Sequence, residues 1–256
     1  LHGTDITLVG ADPSYFGITK FSIERSDGIT SISDDLRRHT VDVFGVANEI
    51  RVIHNFVNCT MYAPDPERRG IERFGPNGEK LLIHLSNFRP VKRVHDCIHV
   101  LAEVRKHVNA RLLMVGDGPE RGPAEHLAGQ LGVSRHVEFL GKQNSVERLL
   151  RLAHVLLMPS ERESFGLAAL EGMACGVPPV ATRVGGVPEL ITHDVDGFLE
   201  NVGDVDAQAG RVIELLTNQP LFDRMASAAR GTATTRFCTD RIIPLYERYY
   251  EDVLAR

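Results

Sequence analysis

The stretch Val155-Leu156-Leu157-Met158-Pro159-Ser160-Glu161-Arg162-Glu163-Ser164-Phe165-Gly166-Leu167-Ala168-Ala169-Leu170-Glu171-Gly172-Met173-Ala174-Cys175-Gly176 gives three structural instructions in a row. The opening apolar run, with no polar interruption, reads as a strand of a parallel sheet buried on both faces. The polar residues 159–164 read as a loop. The Ala- and Leu-rich run after it predicts a helix opening near Phe165 and stopping at Gly176, where a missing Cβ permits the left-handed turn that ends helices. The unpaired N–H groups of such a helix start attract phosphate.

The same alternation continues outward. Short apolar runs at residues 81–85, 112–115, 137–140 and 179–182 are separated by longer amphipathic stretches. In one of these, Val94, Ile98, Leu101, Ala102, Arg105 and Val108 recur at steps of three and four, which marks a helix with one buried face. The prediction is an α/β fold: a doubly wound parallel sheet of five or six strands in about 150 residues. Such sheets bind ligands at their carboxyl ends, so chemistry is sought in the loops at 86–92, 116–120, 141–145, 159–165 and 183–186.

Upstream, residues 28–33 and 50–54 read as two strands flanking a helix around 36–40. That is less than the roughly 100 residues of an independent α/β domain, and the chain opens at Leu1 without a cap or leader. Residues 1–60 are therefore expected to be the C-terminal part of another Rossmann-like domain, joined by the polar, proline-rich stretch 64–70 to a complete domain at 61–238. In the final segment, 239–256, a helix from 240 to 254 carries Ile242, Ile243, Leu245, Tyr246, Tyr249, Tyr250 and Val253 on a helical repeat. Pro244 falls near its start, where proline is tolerated.

Composition narrows the function. With 256 residues, 43% hydrophobic and 25% charged, the chain is an ordinary globular protein. Its 29 Lys and Arg against 34 Asp and Glu, net −5, argue against general affinity for nucleic acid or anionic membrane. Cys59, Cys97, Cys175 and Cys238 form no CxxC, so neither zinc nor a disulfide framework is expected, and a reducing cytoplasm fits. There is no apolar run of membrane-spanning length and no signal-peptide pattern. No HExxH motif is present, and Asp194-Val195-Asp196 and Asp204-Val205-Asp206 are expected to be surface turns, so no metal or other cofactor is predicted.

Two clusters carry the chemistry. Glu163 and Glu171 stand at E-x7-E spacing about the helix start, where carboxylates can each grip vicinal hydroxyls on either side of a diphosphate, the shape of a nucleotide-sugar. Their alternative role is as solvated groups that favour the helix dipole. The second cluster, Ser86-Asn87-Phe88-Arg89-Pro90-Val91-Lys92-Arg93, brings cations to the exit of the first strand, either to neutralise a diphosphate or as a solvated basic loop. Gly116-Asp117-Gly118-Pro119-Glu120 is half a dinucleotide fingerprint with Gly122 one position late, and reads as a strand-to-helix turn with Pro119 at the helix start. A nicotinamide-dependent oxidoreductase would need an acidic residue after the next strand, whereas Glu138 lies inside it. Gly185-Gly186-Val187-Pro188-Glu189 either brings backbone to a sugar or makes a tight turn.

The segment from Glu163 to Glu171, followed by Met173-Ala174-Cys175-Gly176-Val177-Pro178 and Gly185-Gly186-Val187-Pro188-Glu189, resembles the donor-site signature of the retaining GT-B glycosyltransferases of glycosyltransferase family 4. The resemblance implies a GT-B fold, with Glu163 on hydroxyls of the donor sugar and Glu171 on the ribose. It places Asn87 and the backbone of Phe165, Gly166 and Leu167 at the nucleotide-sugar, and Arg89 and Lys92 at the departing UDP, without a metal. His2 is similar to a histidine that faces the donor sugar across the cleft, with Thr4 on the acceptor side. Residues 83–93 and 1–6 resemble the members that transfer N-acetylglucosamine from UDP-GlcNAc to the hydroxyl of L-malate in bacillithiol biosynthesis. The family commonly has Gly-Arg where Ser86-Asn87 stands, which shifts the cationic role to Arg89. The family's acceptor pocket lies mainly in the first domain, most of which this reading finds missing, and the last helix would pack there with its aromatic face partly uncovered. Open alternatives are another acceptor or donor hexose and a nucleotide-binding protein that transfers nothing. Homo-oligomerisation is also left open.

Overall fold

A computed structural model describes residues 1–3, 5–10 and 12–255. A wide helical turn, Asp5–Val9, leads into α1 (Pro13–Glu24), β1 (Ile29–Ser31), α2 (Asp34–Phe44) and β2 (Ile50–Val52). The two strands pair in parallel, Ile29 opposite Ile50, in a small sheet of their own. Ser33 starts α2 by accepting the Leu36 N–H at 3.2 Å, and Gly45 stops it in the left-handed conformation.

The larger unit alternates strand and helix: β3 (Lys80–Leu85), α3 (Val94–Val104), β4 (Ala110–Val115), α4 (Arg121–Gln130), β5 (Val137–Gly141), α5 (Val146–Leu150), β6 (Val155–Met158), α6 (Leu167–Ala174), β7 (Pro179–Thr182), α7 (Val187–Leu190) and β8 (Phe198–Glu200). It closes with α8 (Val205–Thr217) and α9 (Gln219–Arg236), and α10 (Thr239–Leu254) follows. The six strands are parallel in the order β5-β4-β3-β6-β7-β8, the doubly wound arrangement, with the winding reversed between β3 and β6. Successive residues serve opposite cores: Leu81, Ile83, Leu113 and Leu156 face one layer, and Leu82, Leu112, Val155 and Leu157 the other. That is why the strands read as mostly apolar runs and not as alternating ones.

Some details depart from expectation. The five apolar runs leave out β8, whose three residues Phe198–Glu200 include only two apolar ones, behind Asp196 and Gly197. Asp196 is no surface turn: it is 1% exposed and accepts from the Thr192 N–H at 2.7 Å and the Thr232 hydroxyl at 2.7 Å. Asp204 caps α8 through the Ala207 N–H. Pro119 precedes α4, which opens at Arg121, and Pro244 lies within α10. The inner face of α10 finds cover: the Tyr249 hydroxyl accepts the Ile29 N–H at 2.7 Å and donates to the Ile29 carbonyl at 3.1 Å, and Tyr246 donates to the Ile53 carbonyl at 3.2 Å. Tyr250 and Leu254 stay exposed. Among the described residues no helix is long and apolar enough to cross a membrane.

Candidate active site

A cleft of about 780 Å³ opens where β3, β6 and β7 end and α2 faces them. The β3 exit supplies Asn87, Arg89 and Lys92, the β6 exit Glu163, Phe165, Gly166 and Leu167, and the β7 exit Gly185. His2 joins them at the rim, exposed, its N–H donating to the Asp5 carboxylate at 3.1 Å. Thr4 lies outside the described residues.

On the β3 arm, Asn87 and Arg89 point out while Phe88 between them is fully buried. Lys92 is ion-paired with Glu163, whose same oxygen accepts from the Ser160 hydroxyl at 3.1 Å. The cation and carboxylate assigned to donor binding are thus each other's partners. Arg93 turns away to Asp96, at 2.7 Å, and takes no part.

Across from this arm, α6 begins at Leu167, two residues later than the sequence suggests. Phe165 packs into the core, its ring 5.5 Å from Phe237 and 5.6 Å from His54. Gly166 then turns with φ 99°, a left-handed conformation that favours glycine. No side chain caps this helix start, so its first N–H groups are available to an anion. Glu171 lies one turn beyond Leu167 but outside the cleft lining. It is half-buried near the Tyr62 hydroxyl, and burial raises its carboxyl above the ordinary value, with Glu147 adding repulsion.

The glycine pair after β7 makes a tight turn at the cleft wall. Gly185 lines the cleft, and a Cβ there would fall 1.9 Å from the Glu163 carbonyl; the Gly186 N–H donates to that carbonyl at 3.1 Å. Further on, the Glu189 carboxylate accepts the Asp34 and Asp35 N–H groups at 2.8 and 2.9 Å, and contacts His54 Nε2 at 3.1 Å. This clasp on the N-terminus of α2 fixes Asp35 and His39 as the opposite wall. Sequence reasoning missed both residues and Asn55, because only tertiary packing brings α2 and the segment after β2 to the sheet, and it passed over Arg162, which lines the cleft from the loop after β6. Gly116 and Gly118 face no ligand space. A Cβ at either would strike the Ser86 or Asn87 carbonyl, at 1.7 and 2.1 Å, so they support the cationic arm from behind. Among the described residues no group of three or more His, Cys, Asp or Glu is placed to hold a metal ion.

Residues 69–232 match the family described as glycosyl transferases group 1. The chain belongs to this family. The N-acetyl-alpha-D-glucosaminyl L-malate synthase of Bacillus anthracis is 42% identical over 255 residues, 99% of this chain and 67% of that protein. A GDP-mannose-dependent alpha-(1-6)-phosphatidylinositol monomannoside mannosyltransferase of Mycolicibacterium smegmatis is 31% identical, over 84% of this chain and 58% of the relative. The glycosyl transferase fold is matched by the sucrose-phosphate synthase of Thermosynechococcus elongatus, with a TM-score of 0.87, 22% identity, and coverage of 98% of this chain and 65% of that one. It is matched too by Anabaena HepE in complex with UDP-glucose, with a TM-score of 0.85, 22% identity, and coverage of 96% and 68%. The architecture is GT-B type, and the chain spans about two thirds or less of these relatives' lengths.

Proposed function

We propose that this glycosyl transferase moves N-acetylglucosamine from UDP-GlcNAc to the hydroxyl of L-malate with retention, the first step of bacillithiol synthesis, in the cytoplasm. The observation that carries the reading is the convergence of Arg89, Lys92, Glu163 and the uncapped start of α6 on one cleft at the reversal point of the sheet. The 42% identity to the GlcNAc-malate synthase supports the choice of substrates. We divide the chain at 1–60, 61–238 and 239–256, with the donor held by the middle part.

As the bond between the sugar's anomeric carbon and the diphosphate breaks, negative charge collects on the leaving phosphate oxygen. Arg89 and the α6 N–H groups meet it there, and Lys92 joins them by exchanging its Glu163 partner for the phosphate. The acceptor hydroxyl attacks from the same face, and its proton passes to the leaving phosphate. Glu163 orients the sugar hydroxyls, Asn87 and the Phe165–Leu167 backbone hold the donor, and Glu171 holds the ribose. His2 faces the sugar from the far wall, and Thr4 belongs to the acceptor side. Calorimetry with UDP, UDP-GlcNAc and NAD tests the reading: binding of the first two and none of NAD is expected, and preferential NAD binding contradicts it. UDP release on adding L-malate, in place of other acceptors, tests the acceptor and separates transfer from nucleotide binding alone.

A further inference from the structure

We propose that His84 and Ser86 are positioning residues for the diphosphate-facing arm, a role that deepens the donor-site reading and rests on it. His84, at the end of β3, is 1% exposed. Its Nδ1 lies 2.9 Å from the Leu157 carbonyl on β6, and its Nε2 lies 2.8 Å from the Ser86 hydroxyl. The Phe88 N–H donates to that same hydroxyl oxygen at 3.2 Å. A carbonyl only accepts, so Nδ1 carries the proton. Burial pushes the imidazole down to about 4, so it is neutral near pH 7 and Nε2 accepts from Ser86. Every link then has one direction: Phe88 to Ser86, Ser86 to His84, His84 to Leu157.

Both ends of this relay matter. Phe88 holds a φ of 40°, which is sparsely populated for a residue with a side chain, and its carbonyl accepts the Glu120 N–H at 3.0 Å. Fixed in that turn, it leaves Asn87 and Arg89 facing the cleft. Leu157 lies just ahead of the loop that carries Glu163 and the start of α6. One imidazole therefore ties together the two strand exits that form opposite sides of the diphosphate site. Neither His84 nor Ser86 lines the cleft, so both act through the arm.

The test compares UDP and uridine binding in the wild-type chain, Ser86→Ala and Ser86→Thr. Ser86→Ala should weaken UDP about tenfold while uridine stays within about twofold, and Ser86→Thr, which keeps the hydroxyl, should recover most of the UDP affinity. Equal losses for both ligands, or an unchanged UDP affinity, overturn the proposal. Nitrogen NMR of the wild-type chain gives a reading independent of any variant's folding: Nδ1-protonated neutral His84 supports the relay, and the other tautomer overturns it. A wild-type chain that binds neither ligand sinks the donor-site reading. The His84 tautomer and the exchange protection of the Phe88 amide, expected to fall in Ser86→Ala, then still decide the relay.

Discussion

Glu171 sits half-buried beside Tyr62 and Glu147, and burial raises its carboxyl above 4.5. The folded chain therefore holds that proton more tightly than the unfolded chain. The group's stabilising contribution is full below pH 4.5 and is lost as pH rises through the raised value. Glu171→Gln should accordingly be more stable than wild type near neutrality, with the gap closing below pH 4.5 in urea titrations. In its ribose role, Glu171→Ala should weaken UDP by roughly 1–3 kcal/mol, read by calorimetry. His84 has the opposite sign. Its imidazole is depressed from 6.5 to about 4, so stability present above pH 6.5 is lost as pH falls towards 4. The loss is on the order of 3 kcal/mol, and His84→Gln should flatten the melting-temperature profile across that window. In its proposed role at the leaving phosphate, Lys92→Ala should lower turnover more than it raises donor KM, because the charge it would meet develops only as the bond breaks; steady-state UDP release measures both.

At the level of elements, β3, β4, β6 and β7 were legible because both their faces are mostly buried, so that apolar residues dominate each run despite His84 in β3 and Arg111 in β4. β8 was not, being too short to show a pattern. The start of α6 falls two residues later than the sequence reading because Gly166, at φ 99°, breaks the helical conformation between Phe165 and Leu167. The Ala- and Leu-rich run located the body of the helix, but Tyr62, which shelters Glu171, comes from a distant part of the chain that no spacing rule reaches. The β7–α7 turn yields a direct check. Gly185 has φ +51° and no room for a Cβ beside the Glu163 carbonyl. Gly185→Ala should cost more than about 1 kcal/mol in stability and displace the Glu163 loop, seen as a lowered melting temperature together with weaker UDP binding.

Across the whole molecule, one apolar cluster runs from Ile29 and Leu36 beside the small sheet to Leu81 and Phe165 of the larger unit, and the Glu189 carboxylate adds a polar tie to the start of α2. Glu189→Ala should speed hydrogen exchange at the Asp34 and Asp35 amides while leaving β3 and β6 protected, and equal exchange at both places would contradict the clasp. The last helix completes the picture. It runs on from α9, which packs along α6, yet it is bonded through Tyr249 and Tyr246 to β1 and Ile53. Any swing of the small sheet must therefore drag the chain's final turns with it. A dye placed on the outward-facing Leu254, remote from the cleft, would ride along with any such swing and report it without disturbing the cleft lining.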